Sequence, residues 1–223
     1  MDKYILHIET ATKVCSVAVS KNGVLLAVKE TEEEGYSHGE NLNVFIQEVV
    51  ERAKITLKDL SAISLASGPG SYTGLRIGAA TAKSLCYSMD IPLIAIDALT
   101  SLAEIAMLKY TNINLCPLID ARRMEVYNLV LDEKGVAKKE ITADIIDESS
   151  YEEYLPFVYF GDGAKKLEEI WKGRDCRLAS EIKSSATGQV RLAFSKFEKN
   201  EFEDVAYWEP FYLKDFIAGK KVK

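Results

Sequence analysis

Ser67-Gly68-Pro69-Gly70-Ser71-Tyr72-Thr73-Gly74-Leu75-Arg76-Ile77-Gly78 is the stretch on which the fold of this chain turns. It follows a short apolar run at 62–66 that reads as a buried strand. It leads into a segment rich in small residues (Gly74, Gly78, Ala79, Ala80, Ala82) that predicts a helix over 72–89. A glycine-rich strand-to-helix loop invites comparison with phosphate and nucleophile loops, and spacing decides each case. A Walker A loop needs Gly-Lys-Ser/Thr at its end, and no Lys stands there. A dinucleotide loop needs its third Gly one residue earlier than Gly74. A nucleophile elbow needs Gly two residues before Ser71, where Pro69 stands. What remains is a tight turn in which Gly supplies unusual backbone angles. Its helix start has N–H groups suited to an anion.

Before this loop, residues 4–9, 14–20 and 24–30 read as a three-strand meander, with Asn22-Gly23 as the hairpin turn. An acidic loop at 31–35 leads to Ser37 and Glu40, which have capping-box spacing. Leu42, Phe45, Ile46, Val49, Val50 and Ala53 then recur at helical spacing over 37–54. After the loop come a strand at 92–97 and a helix at 99–108. Strands are expected again at 118–120, 125–132, around 140–146 and at 157–160, the last ending at Gly161-Asp162-Gly163. Helices follow at 165–171 and 186–197, and residues 207–216 are aromatic and extended. Hairpin strands first, then alternating helix and strand, twice over, make a mixed α/β pattern with related halves; the repeat lies in element order, not in residues.

The chain has 223 residues, 48% of them hydrophobic and 28% charged, enough for one large domain or two lobes. Met1-Asp2-Lys3 runs straight into a strand, so no export leader is expected, and no apolar run nears the ~18 residues of a membrane helix. The expected location is the cytoplasm, with no membrane partner. Cys15, Cys86, Cys116 and Cys176 form no Cys-x-x-Cys pair and read as buried free thiols. His7 and His38 are the only histidines, too few for a multi-histidine metal site. His7 alternates within a strand and reads as structural; His38, in a helix's first turn, reads as a surface residue. A net charge of −6 is poorly suited to unaided nucleic-acid binding. The Lys220, Lys221, Lys223 tail reads as a solvated end.

Five stretches, in order, resemble the TsaB (YeaZ) family. They are Ile8-Glu9-Thr10-Ala11-Thr12, the 67–78 loop, Ile119-Asp120-Ala121-Arg122-Arg123-Met124-Glu125-Val126-Tyr127, Gly161-Asp162-Gly163 and Pro210-Phe211-Tyr212-Leu213. The resemblance implies an actin/sugar kinase/heat-shock chaperone (ASKHA) fold made of two duplicated ribonuclease-H-like lobes. Residues 1–108 would form the first lobe and carry the partner-binding helices. Residues 109–223 would form a smaller second lobe, with the last segment expected to pack back on the first. The resemblance also implies work beside the catalytic paralogue TsaD and the ATPase TsaE, transferring a threonylcarbamoyl group to adenosine 37 of tRNAs that read codons starting with A.

Within that family frame the chain reads as a non-catalytic scaffold or activator, essential to a transferase complex but no enzyme alone. The phosphate loops of the superfamily are degenerate here: Glu9, Thr10 and Ala11 in the first, Asp120 with Ala121-Arg122 in the second, and only Gly161 and Gly163 kept in the third. No cofactor, catalytic residue or metal ligand is therefore expected. Ala98 and Leu102 stand where the paralogue carries two histidines on one helix face. The partner surface is expected at Leu42, Phe45, Ile46, Val49, Tyr72, Leu75, Arg76 and Ala79. It would bind TsaD as a heterodimer, or form a homodimer when TsaD is absent, with tRNA reached only through the complex. Competing readings are an active small-molecule kinase, a metallopeptidase and a homodimeric chaperone-like module.

Overall fold

The computed structural model describes residues 2–32 and 38–214. Three strands open it: β1 (Tyr4–Glu9), β2 (Val14–Lys21) and β3 (Val24–Glu32), joined in antiparallel pairs. Asn22 (φ 50°) and Gly23 (φ 76°) both take the left-handed backbone that a tight hairpin demands. Helix α1 (His38–Arg52) follows, then β4 (Leu60–Gly68), α2 (Tyr72–Met89), β5 (Leu93–Asp97) and α3 (Ala98–Met107). The first sheet has five strands in the order β3-β2-β1-β4-β5, with β1, β4 and β5 parallel. Ser37, the acidic residues from 33 and the lysines at 220, 221 and 223 lie outside the described residues.

The second half repeats the plan. Strands β6 (Asn114–Asp120), β7 (Glu125–Leu131) and β8 (Ala137–Ile145) pair antiparallel, and β9 (Phe157–Phe160) and β10 (Cys176–Leu178) add in parallel. The resulting order, β10-β9-β6-β7-β8, is the first sheet's order with β6 in the place of β1. Two ribonuclease-H-like units of identical strand order make this the ASKHA fold. The second unit is stripped down. Residues 165–171 form one 3-10 turn (Lys165–Leu167) with irregular turns after it rather than the expected helix. Buried Trp171 bonds back through its N–H to Leu167 O at 2.9 Å and fills the space against Phe157 and Tyr159 that a longer helix would need. The three-residue β10 is too short to show alternation in sequence.

Alternation along β1 explains the layering. Leu6 and Ile8 face α1 and α2 in one core, while Ile5 lies in a second core with Ala193 of α4 (Val190–Glu198). Helix α3 joins the lobes: Leu99, Leu102, Ala103 and Ala106 pack with Ala66 from the first sheet and with Leu115 and Ile119 from the second. The sheets divide between α3 and β6. Residues 186–198 and 203–214 nevertheless pack on the first sheet, so the second lobe is smaller than residues 109–223. The final segment is a strap. Glu203 N donates to Leu93 O (2.9 Å), Lys83 Nζ to the carbonyls of Ala206 (3.2 Å) and Trp208 (2.9 Å), and Phe211 N to Ser67 O (2.8 Å).

Candidate functional site

The carboxyl ends of β1, β4, β5, β6 and β9 bring their loops to one crevice between the lobes, where α/β sheets bind ligands. Glu9, Asp97 and Asp162 are close enough there for the two aspartates to act on Glu9. Glu9, Thr10, Ala11, Asp120, Gly161 and Gly163 therefore do converge.

The carboxylates among them are engaged within the protein, whereas the Thr10 hydroxyl is buried without a hydrogen-bond partner. Glu9 is fully buried, and its Oε1 accepts the Ala11 N–H at 2.7 Å. Burial, with Asp97 and Asp162 adding repulsion, pushes its carboxyl up to about 7. Asp97 caps α3 by accepting from Thr100 N at 2.7 Å, and burial raises it as well. Asp162 accepts the Asp120 N–H at 2.9 Å. It is crowded by the crevice wall while its carboxylate still meets water; the crowding, with Asp120 alongside, raises it. Asp120 accepts from Arg122 N at 3.0 Å and pairs with Lys166.

The first loop is also clamped from behind. Ala11 O accepts the Ser71 N–H at 2.6 Å, and Gly74 N–H bonds to Ser71 Oγ at 3.3 Å, so these donors of the α2 start are taken. A Cβ on Gly74 would lie 2.0 Å from Thr10 O, and one on Gly78 2.4 Å from Thr10 Oγ1. The glycines of the 67–78 motif thus let α2 press against the 10–12 backbone. The Ala11 methyl lies in the core with Leu75 and Leu102, and the loop around it is tethered through its backbone. Gly161 (φ 100°) serves in the same way: its Cβ would meet Leu118 O at 2.3 Å.

Ala98 and Leu102 are buried hydrocarbon positions of α3. Among the described residues no group of three His, Cys, Asp or Glu side chains is gathered tightly enough to hold a metal. His7 is buried with Nε2 2.8 Å from Ser20 Oγ, and burial pushes its pKa down to about 3. His38 departs from the surface reading. It is buried, with Nε2 2.9 Å from Thr12 O, and ties α1 to the clamped loop. Cys15, Cys86 and Cys116 are buried free thiols, and Cys176 is half-buried.

The expected partner surface needs correction. Leu42, Phe45, Ile46 and Val49 are buried beneath α1, and Leu75 and Ala79 beneath α2. An amphipathic stripe gains most by covering its own sheet, so these residues have no area left for a partner. Tyr72, half-buried, and Arg76, exposed, do stand at the surface. The outward residues that the sequence reading passed over include Val44, 52% exposed, and Tyr87, 86% exposed. Both are apolar residues off their helix's buried stripe, which is the signal that marks them.

A family model for TsaD, tRNA N6-adenosine threonylcarbamoyltransferase, matches residues 32–215. The TsaB protein of Buchnera aphidicola subsp. Schizaphis graminum is 32% identical over 175 residues, 75% of this chain and 82% of that protein. The chain belongs to the TsaB family. Escherichia coli K12 TsaB is 29% identical over 98% of this chain and 97% of its own length. These relatives are named tRNA threonylcarbamoyladenosine biosynthesis proteins. The structure of YeaZ from Pseudomonas aeruginosa superposes with a TM-score of 0.80 at 22% identity, covering 95% of this chain and all of that one, which shows a shared fold. Among the described residues no helix is long and apolar enough to cross a membrane.

Proposed function

We propose that this TsaB-family chain takes part in tRNA threonylcarbamoyladenosine synthesis as a non-catalytic scaffold. In this reading it activates the transferase TsaD, with TsaE as the ATPase, for transfer of threonylcarbamoyl to adenosine 37 of tRNAs that read codons starting with A. Its work is then done in the cytoplasm, and tRNA is its substrate only as part of the assembly. The supporting observation is the tied first loop: the Glu9 carboxylate accepts the Ala11 N–H and the Ala11 carbonyl accepts the Ser71 N–H, so the acid and a donor at the helix start are already engaged. A triphosphate would also add negative charge beside carboxylates that already repel one another.

With the crevice closed, the outer faces of α1 and α2 are the surface left for assembly. Asn43, Val44 and Gln47 of α1, and Thr73, Arg76, Ala80, Ser84 and Tyr87 of α2, face outward from the same side of the first sheet. Such a face can bind TsaD, or a second copy of the chain through an isologous contact when TsaD is absent.

The test is reconstitution of tRNA modification with purified chain, TsaD and TsaE, omitting each in turn, beside calorimetry of the lone chain with magnesium-ATP. The reading expects modification only when the chain is present and no tight nucleotide binding by the chain alone. Turnover by the isolated chain, or full activity without it, overturns it.

A further inference from the structure

Opposite the clamped loop, the β6–β7 hairpin carries a feature that the scaffold reading leaves unused. Arg122 (φ 72°) and Arg123 (φ 51°) both adopt left-handed backbone at the turn. Bulky residues pay for that conformation, and this same chain uses the cheap pair, Asn22-Gly23, at its other tight hairpin. The turn is held by Arg122 N to Asp120 Oδ1 (3.0 Å) and Glu125 N to Arg122 O (3.1 Å). Both side chains are exposed, and neither guanidinium has an ion-pair partner among the described residues.

The turn sits in a basic stripe at the crevice rim. Lys166 reaches the Glu125 carbonyl (2.6 Å) and pairs with Asp120, while Lys214 pairs with Glu125. Exposed Lys13 acts on Asp162 across the crevice. The rim carboxylates Asp120, Glu125 and Asp162 thus each have a lysine, and the two arginines are surplus cation. Aromatic rings lie near the stripe: Tyr212, two residues before Lys214, packs against Tyr72 with centroids 4.6 Å apart and planes tilted by 41°, and Arg76 lies 4.1 Å over Tyr72. Phe211 beside them is 46% exposed.

Exposed arginines without an ion pair among the described residues, on a face that also carries the half-exposed Phe211 ring, suit a phosphodiester chain with unstacked bases. On a chain of net charge −6 they localise where a polyanion can land. We propose that the Arg122–Arg123 turn, extended by Lys13 and the Tyr72–Tyr212 pair, is a direct contact surface for the RNA backbone of the tRNA substrate. The identity of that RNA rests on the function proposed above.

The experiment measures anisotropy of a labelled tRNA transcript with the full chain, alone and with TsaD added, from low to physiological salt. Two variants are compared with the parent: Arg122→Asn with Arg123→Gly, and Arg122→Lys with Arg123→Lys. The first removes both charges while easing the backbone, so it should melt no lower than the parent. It is expected to bind tRNA on the order of tenfold more weakly, with a log–log salt slope shallower by about 2. The lysine pair should keep the slope. Parent-like affinity and slope in the Asn-Gly variant would overturn the proposal. So would loss of TsaD capture with tRNA binding intact, which would make the rim a protein-docking surface. Should the parent assembly bind tRNA through the rim yet never modify it, the RNA contact stands and the function proposed above falls.

Discussion

Replacing Glu9 with Gln should make the protein more stable at pH 8 and leave it unchanged at pH 4.5. Gln keeps the shape and an oxygen able to accept the Ala11 N–H, now at 2.7 Å. It removes only the charge that burial, with help from Asp97 and Asp162, disfavours. The Glu9 carboxyl is raised from 4.5 to about 7. The folded chain therefore holds a proton that the unfolded chain has shed between those values, and stability drains away as pH rises through that window. At about 1.4 kcal/mol for each pH unit, the ionised group costs the fold about 3 kcal/mol above pH 8, and about half the window's loss is reached near pH 6. For a chain of this size that corresponds to roughly 6–12 °C in Tm.

The assay is urea unfolding of parent and variant in parallel from pH 4.5 to 8.5. The gap should open from zero as pH climbs and level off above pH 8. Comparison at each pH cancels His7, which acts in the opposite sense. Its pKa is pushed down to about 3, so its contribution fades as pH falls below 6.5 and is common to both proteins. A gap that stays flat with pH, or a variant less stable than the parent at pH 8, would show that Glu9 is held ionised by groups not accounted for here.

Gly74→Ala places a methyl 2.0 Å from the Thr10 carbonyl and should cost about 3 kcal/mol or more, read by thermal unfolding; parent-like stability would mean the loop is not clamped. Val44→Asp should change stability by no more than about 0.5 kcal/mol while weakening capture of TsaD, whereas Val49→Asp, with its charge fully buried, should fail to fold. Equal folding of the two would refute the assignment of inner and outer faces of α1. Lys83→Met leaves the Ala206 and Trp208 carbonyls without their ammonium donor, so proteolytic cutting within residues 203–214 should speed up; an unchanged cutting rate would mean the strap is held by its other bonds.

Much of the architecture was legible because its signals are local. Asn22-Gly23 announces a hairpin, the small-residue run announces α2 from Tyr72 to Met89, and short apolar runs give β1 and β9 to the residue. The convergence of Glu9, Asp120 and the Gly161 loop was legible through family resemblance, since those stretches lie far apart in sequence. What local patterns hide is which groups are already spoken for. His38 reads as surface because its partner, the Thr12 carbonyl, stands 26 residues away. The 67–78 glycines read as a tight turn, but the Thr10 backbone that needs the space beside them is invisible until the chain folds. Phe45 and Val49 read as a docking stripe through the family resemblance, and periodicity reports an apolar face without saying what covers it.

On the scaffold reading proposed above, bonding of the first loop matters more than the missing glycine at 11. In a working cradle the loop's N–H groups and the acid at the end of β1 must be free to meet phosphate and cation. Here Glu9 holds its own loop, the Ala11 carbonyl caps the start of α2, Asp97 caps α3, and Asp162 fixes the end of β6. Restoring Gly at 11 would leave these groups bonded and the carboxylates as close to one another as before. Loops fastened in this way do stabilise something else: the seating of α2 on the first sheet, and with it the outward row from Thr73 to Tyr87. On the scaffold reading proposed above, rigid support of that row is what a binding subunit requires, and the same few hydrogen bonds supply it.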